Sequence, residues 1–324
     1  MELPLDPRLK IGVQTIHRRT EPAAGPWRPT IAELADLVGL IDGSGYDSLW
    51  VGDHVAFAVE ILDPLLQLAQ AAVVSRRLTL GTNVYLLPLR HPGPAAKQVA
   101  TLDHLCEGRL IFGVGIGGEF PQEYAVCGVP IGERGARLSA AIPLLRALWR
   151  GEPVSHKSRY FGEFGEVAMR PPARQPGGPP IWCGGRADAA LARAGRLADG
   201  WISYVVTPDQ YRAALARIAA AAEGRSLGRF GTGHLLFIRL DDSYEAALDA
   251  AAVSLSRRYA MDFRRAAERY AALGRPAAVA ARIREFHAAG MRHLVCDFVG
   301  PYEDRPRQIA EFAREVMPLL EDLR

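Results

Sequence analysis

LTLGTNVYLLPLRHPGPAAKQVATLDHLCEGRLIFGVGIGGE, running from Leu78 to Glu119, holds two apolar runs on either side of one helical segment. Leu78 to Val84 and Arg109 to Val114 read as buried strands. Near-continuous apolar runs of this kind belong to parallel strands covered on both faces, and Pro94 to Leu105 is long enough to be the crossover between them. Each strand then ends in polar residues or glycines, where a ligand would be met in a parallel sheet.

Gly113, Gly115 and Gly118 match the spacing of a G-x-G-x-x-G dinucleotide fingerprint. Their context does not. A true fingerprint opens a helix at once, whereas here Pro121 follows and the next helix is expected only near Glu133.

The same alternation extends in both directions. Ile11 to Thr15 reads as a first strand, followed by a Pro/Gly/Arg-rich loop. A helix opens at Thr30, whose spacing to Glu33 is that of a capping box, with Leu34, Leu37, Val38 and Ile41 on one face. Ser48 to Val51 is a second strand that runs into Gly52-Asp53-His54. Asp63 and Pro64 cap and open the next helix. Glu133 to Arg150 is amphipathic although Pro143 removes one of its internal bonds. Tyr160 to Met169 suggests a hairpin excursion after the fourth helix.

Beyond the excursion come strand Ile181 to Cys183, a helix over Ala187 to Leu197, strand Trp201 to Val205 and a helix capped by Thr207. His234 to Leu240 is a seventh strand, Ser243 to Leu273 a helical insertion, Pro276 to Ala289 a helix and His293 to Phe298 an eighth strand. Eight strand-helix units close most simply into a (β/α)8 TIM barrel, which takes about 250 residues and tolerates insertions. An open doubly wound sheet is the alternative. The expectation is one domain over residues 1–324.

The 324 residues are 49% hydrophobic, enough for a large core. The 39 basic and 36 acidic side chains are interspersed and leave a net charge of +3, so no basic footprint for nucleic acid exists. Cys106, Cys127, Cys183 and Cys296 form no C-x-x-C pair, which argues against a zinc site or a disulfide framework. No apolar run reaches the roughly 18 residues of a membrane span, and no signal-peptide core is visible, so a cytoplasmic location is expected.

In a barrel the residues just after each strand are the functional candidates. They are Gln14 and His17, Asp53 and His54, Asn83 and Tyr85, Gly115 to Glu119, and Gly184, Gly185 and Arg186. Cys183-Gly184-Gly185-Arg186 leads into a helix, so free N–H groups and one guanidinium could form an anion site; a tight turn with Arg186 in solvent is the other reading. His54 could move a proton, or could bond to Asp53 and only shape its loop. Glu119 could carry a proton or simply be solvated. No H-x-H or carboxylate cluster suggests a metal.

The segments GYDSLWVGDH, LGTNVYLLPLRHP, AKQVATLDHLCEGRLIFGVGIGGEF, GVPIGERGARL and PIWCGGRADAALARAGRLADGWI occur in that order over nearly the whole chain. Together they resemble the bacterial luciferase-like superfamily of flavin- and deazaflavin-dependent oxidoreductases. One departure is Cys106, where the family commonly has serine.

The resemblance implies a barrel with an insertion that binds coenzyme F420 or FMN at the strand carboxyl ends. Asp53 and His54 would lie against the tricyclic ring, and Asn83-Val84 would match a bulge where many members have a non-prolyl cis peptide. Gly115, Gly117 and Gly118 would approach the ribityl chain, Gly184, Gly185 and Arg186 would hold the phosphate, and Glu119 would stand near the substrate. His54 and Glu119 are then the candidate catalytic residues.

Among family members the resemblance points to the F420-dependent ones, hence to hydride transfer between F420 and a small organic substrate. The alternatives are an FMN-dependent monooxygenase served by a separate reductase, and a flavin-binding protein without catalysis. A homodimer is implied, with no interface legible. Trp27 and the segment Ser243 to Leu273, with Tyr259, Phe263 and Tyr270, could cover the barrel mouth or belong to the core.

Overall fold

The computed structural model describes residues 2–15, 30–57 and 60–324. Among them, eight strands pair in parallel and close on themselves. They are β1 (Lys10–Thr15), β2 (Ser48–Val51), β3 (Thr79–Thr82), β4 (Leu110–Val114), β7 (Ile181–Gly184), β8 (Gly200–Tyr204), β9 (Gly231–Leu240) and β11 (His293–Phe298). Closure comes from β8 pairing with β9, Gly200 opposite Gly231, and from β11 pairing with β1, His293 opposite Lys10. The fold is the (β/α)8 barrel, not an open sheet.

Local signals account for the covering helices. α1 (Ile31–Gly43) begins at the Thr30–Glu33 capping box and α7 (Pro208–Ala221) at a Thr207–Gln210 box, so orphan N–H groups at each start are satisfied by side chains. In α2 (Pro64–Val74), Asp63 accepts from the N–H groups of Leu65 and Leu66. α3 (Pro92–Leu105) is the crossover from β3 to β4. α5 (Arg134–Trp149) runs through Pro143 as one helix.

Two expectations need correction. The hairpin lies earlier, β5 (Val154–Ser158) against β6 (Gly162–Val167), because the half-buried face of β5 is Val154, His156 and Ser158, with a single apolar residue to mark the strand. A short helix, α4 (Pro121–Val126), begins at Pro121, since proline suits the first helical position; this segment is not an unbroken loop up to Glu133. The helical insertion after the seventh strand is present as α8 (Tyr244–Tyr259) and α9 (Arg264–Tyr270), parted by Ala260 at φ 52° and followed by a short strand, β10 (Ala272–Gly274), on the edge of β9. Its Tyr259 and Phe263 rings stack at 4.9 Å and pack with Phe237 in a satellite core. Trp27 lies outside the described residues.

The barrel interior is filled by Trp50 and Trp182, ring centroids 5.5 Å apart, with Ile202 and Val295. Small neighbours make that possible. A Cβ at Gly81 would lie 2.3 Å from the Trp50 ring, and one at Gly231 would lie 2.0 Å from the Trp182 ring. Both indoles are buried, Trp50 at 0% and Trp182 at 6% exposure. Gly231→Ala is therefore expected to cost about 1–3 kcal/mol by overpacking, read as a lower urea midpoint. An unchanged midpoint would mean that the barrel floor is loosely packed.

After β11 the chain enters α11 (Arg305–Glu315), and α6 (Asp188–Leu197) and α10 (Pro276–Ala288) complete the outer layer. No helix among the described residues is long and apolar enough to cross a membrane.

Candidate active site

Residues that follow parallel strands gather on one rim of the barrel. β2 leaves as Gly52-Asp53-His54. The Asp53 carboxylate is only 3% exposed and accepts the Leu86 N–H at 2.8 Å and both terminal nitrogens of Arg90, Nη2 at 2.9 Å. Arg90 also lies over the Tyr85 ring at 4.3 Å. Burial pushes the Asp53 carboxyl up from its ordinary value and the guanidinium opposes that push, while the same pair holds Arg90 more firmly protonated. Asp53 is thus built into the wall, where it ties the loop after β2 to the loop after β3.

His54 does not bond to Asp53. Its Nδ1 lies 3.1 Å from Oε2 and 3.2 Å from Oε1 of Glu123, which α4 brings in from 69 residues away. Oε1 of Glu123 also accepts the N–H groups of Val55 at 2.7 Å and Ala56 at 3.2 Å. Burial works to raise the Glu123 carboxyl; the His54 hydrogen bond and charge, with the two backbone donors, outweigh it and hold the group below the usual carboxylate range. Phe57 stacks on the imidazole at 3.9 Å and Phe120 meets its edge at 5.7 Å. Sequence reasoning missed Glu123, although Pro121 at a helix start would have placed it in a first turn.

The peptide bond between Asn83 and Val84, just past β3, is cis. Asn83 and Gln14 exchange hydrogen bonds at 3.3 and 3.5 Å. The Val84 side chain occupies the space beside two glycines. A Cβ at Gly115 would fall 2.3 Å from its Cγ2, and one at Gly184 would fall 2.9 Å from its Cγ1. Gly117 and Gly118 have φ of 54° and 114°, the left-handed region that favours glycine. Gly113 stands so close to β3 that a Cβ would lie 1.9 Å from the Thr82 carbonyl oxygen. Contacts within the protein explain these glycines without a dinucleotide.

Glu119 is exposed and accepts the Tyr204 hydroxyl at 3.1 Å. Burial, aided by the Glu119 charge, pushes the Tyr204 phenol well above its ordinary value. Arg186 is exposed, lies 5.5 Å over the Tyr204 ring and donates to the Val205 carbonyl at 2.9 Å. Gly185, at φ 112°, accepts the Trp201 indole N–H at 2.7 Å. Next to it α6 begins with no side-chain cap. The exits of β4, β7 and β8 therefore meet through Glu119, Tyr204 and Arg186.

His17 lies outside the described residues. Among those described, no group of three or more His, Cys, Asp or Glu could hold a metal ion. A cavity of about 910 Å³ opens at the other end of the barrel, beside Lys10, Thr79, Phe230 and Arg292, which precede or begin strands. It lies away from the functional rim.

The family model for luciferase-like monooxygenases matches residues 10–293. An F420-dependent glucose-6-phosphate dehydrogenase from Nakamurella multipartita is 29% identical, the alignment covering 90% of this chain and 93% of that protein. Another protein so described, from Kineococcus radiotolerans, is 30% identical over 89% and 93%. The crystal structure of monooxygenase RslO1 from Streptomyces bottropensis superposes with a TM-score of 0.81 at 25% identity, covering 96% of this chain and 99% of the other.

Proposed function

The chain belongs to the luciferase-like monooxygenase family, whose enzymes are oxidoreductases working with a flavin or deazaflavin, and on that premise we propose that it transfers a hydride between coenzyme F420 and a small organic substrate. The observation that carries this reading is the near full-length match to F420-dependent dehydrogenases from two organisms.

The rim fits such a group. A phosphate needs N–H donors and positive charge, which the uncapped start of α6 and exposed Arg186 offer beside Gly184 and Gly185. Asn83, Val84, Gly115, Gly117 and Gly118 would line the remainder of the cofactor's site, with Asp53 acting from within the wall. When bound, the deazaflavin supplies a carrier of two electrons as hydride. The protein's part is to orient the partners, limit water and handle the proton that accompanies hydride movement. His54 would take or return that proton at Nε2, and Glu119, hydrogen-bonded to Tyr204, would hold the substrate's polar end.

A second reading, an FMN-dependent monooxygenase with a separate reductase, is favoured by the likeness to the Streptomyces bottropensis monooxygenase. Equilibrium binding separates the two. F420 is expected to bind the purified protein at least about tenfold more tightly than FMN, a difference of about 1.4 kcal/mol. Tighter binding of reduced FMN, with oxygen-dependent turnover, would overturn the F420 reading.

A further inference from the structure

The Glu123 side chain is 1% exposed, and among the described residues the contacts it makes at hydrogen-bond distance go to the loop that carries His54. A carboxylate removed from water is costly unless donors surround it. Here those donors are the Val55 and Ala56 N–H groups and the His54 ring.

We propose that Glu123 is the positioning residue of this site: by accepting the Nδ1–H of His54 it selects the ring tautomer and leaves Nε2 as the atom that exchanges a proton at the barrel mouth. The proposal rests on the reading of His54 as the proton-transfer group.

An ionised carboxylate only accepts, and a neutral imidazole has one N–H and one bare nitrogen, so the nitrogen facing Glu123 must carry the hydrogen. When the ring is protonated, Nδ1 keeps that hydrogen, and the proton gained or lost sits on Nε2. Ring rotation would turn carbon toward the carboxylate, and Phe57 against one face of the imidazole with Phe120 at its edge opposes it. The loop is held from both sides, by Glu123 on one and by the Asp53–Arg90 pair on the other.

Glu123→Gln gives a sharp test. Two backbone N–H groups point at the Oε1 position, so a glutamine keeps its oxygen there and turns its NH2 toward Nδ1, 3.1 Å from the former Oε2. Nδ1 then faces an N–H donor at the 3.1 Å position and, at 3.2 Å, an oxygen that already accepts two backbone N–H groups, so it accepts from the first and the hydrogen moves to Nε2.

The experiment is ¹⁵N NMR of the full chain with labelled histidine, His54 being assigned by the signal lost in His54→Asn. The expected result is the Nδ1–H tautomer in the wild type, the Nε2–H tautomer in Glu123→Gln, and a return toward Nδ1–H in Glu123→Asp. Turnover of Glu123→Gln should fall at least about tenfold with KM little changed, the behaviour of a base left in the wrong tautomer. A wild-type ring already protonated at Nε2, or a spectrum unmoved by Glu123→Gln, overturns the proposal. An inverted tautomer with wild-type turnover would support the hold of Glu123 on the ring and overturn the role of His54 instead. Should Glu123→Gln fail to fold, the wild-type and Glu123→Asp spectra decide.

Discussion

Replacing His54 with alanine is expected to lower turnover by about 10² to 10⁴-fold, the usual contribution of a positioned general acid or base. The cofactor's dissociation constant should change far less than turnover does, because the proposed phosphate contacts, Arg186 and the start of α6, are left in place. Alanine alone would be ambiguous. It also strips the ring partner from Glu123, a carboxylate 1% exposed whose other donors are two backbone N–H groups. His54→Asn resolves this, since its amide can still donate to Glu123 yet cannot carry a proton between substrate and solvent. Both variants should lose turnover alike in a steady-state assay that follows cofactor oxidation or reduction. If the asparagine variant keeps wild-type turnover, His54 only clamps its loop.

The barrel was readable because its signals are local. Ser48–Val51 is a run of four buried residues whose last three, Leu49, Trp50 and Val51, are apolar and mark it directly, and Thr30 and Thr207 announce their helices through side chains that reach three residues ahead. Where a segment lacks such a signal the reading drifted. The hairpin of β5 and β6 has a face that is only half-buried and mostly polar, and Pro121, which argues against a dinucleotide fingerprint, also starts α4.

The site was legible in position but not in partnership. Strand ends located Asp53, His54, Glu119 and Arg186 on one rim, because chain direction alone determines which end of a strand faces the mouth. What each side chain touches depends on residues far away in sequence: Arg90 for Asp53, Glu123 for His54, Tyr204 for Glu119. None of those pairs leaves a spacing that a one-dimensional pattern can register. The glycines show the same limit. Gly115 follows β4 and Gly184 ends β7, 69 residues apart, and the need for both is a single valine methyl pair that becomes visible only once the barrel is closed.

The other large effect is expected at the far side of the mouth, where the helical insertion is anchored to the barrel. Asp297 on β11 is 1% exposed and Arg258 on α8 is 4% exposed, with Nη1 at 2.5 Å from Oδ2 and Nη2 at 3.3 Å from Oδ1. Burial opposes the charge on Arg258, and the Asp297 carboxylate overcomes it and holds the guanidinium more firmly protonated than usual. Asp297→Leu would leave that cation in the interior without its counter-charge, and Arg305 would lose the same neighbour. The expected loss is about 3–5 kcal/mol in urea unfolding, the cost of breaking one side of a buried pair. Arg258→Met should also destabilise, because it removes the guanidinium that faces both carboxylate oxygens. The double variant Asp297→Leu/Arg258→Met should recover part of the loss, since it removes the cation that Asp297→Leu strands, while Arg305 still lacks Asp297 as an acidic neighbour. Strict additivity of the two single changes would mean that the charges are solvated independently. α8 would then be held to the barrel by its apolar contacts with Phe237 and Leu273 rather than by this pair.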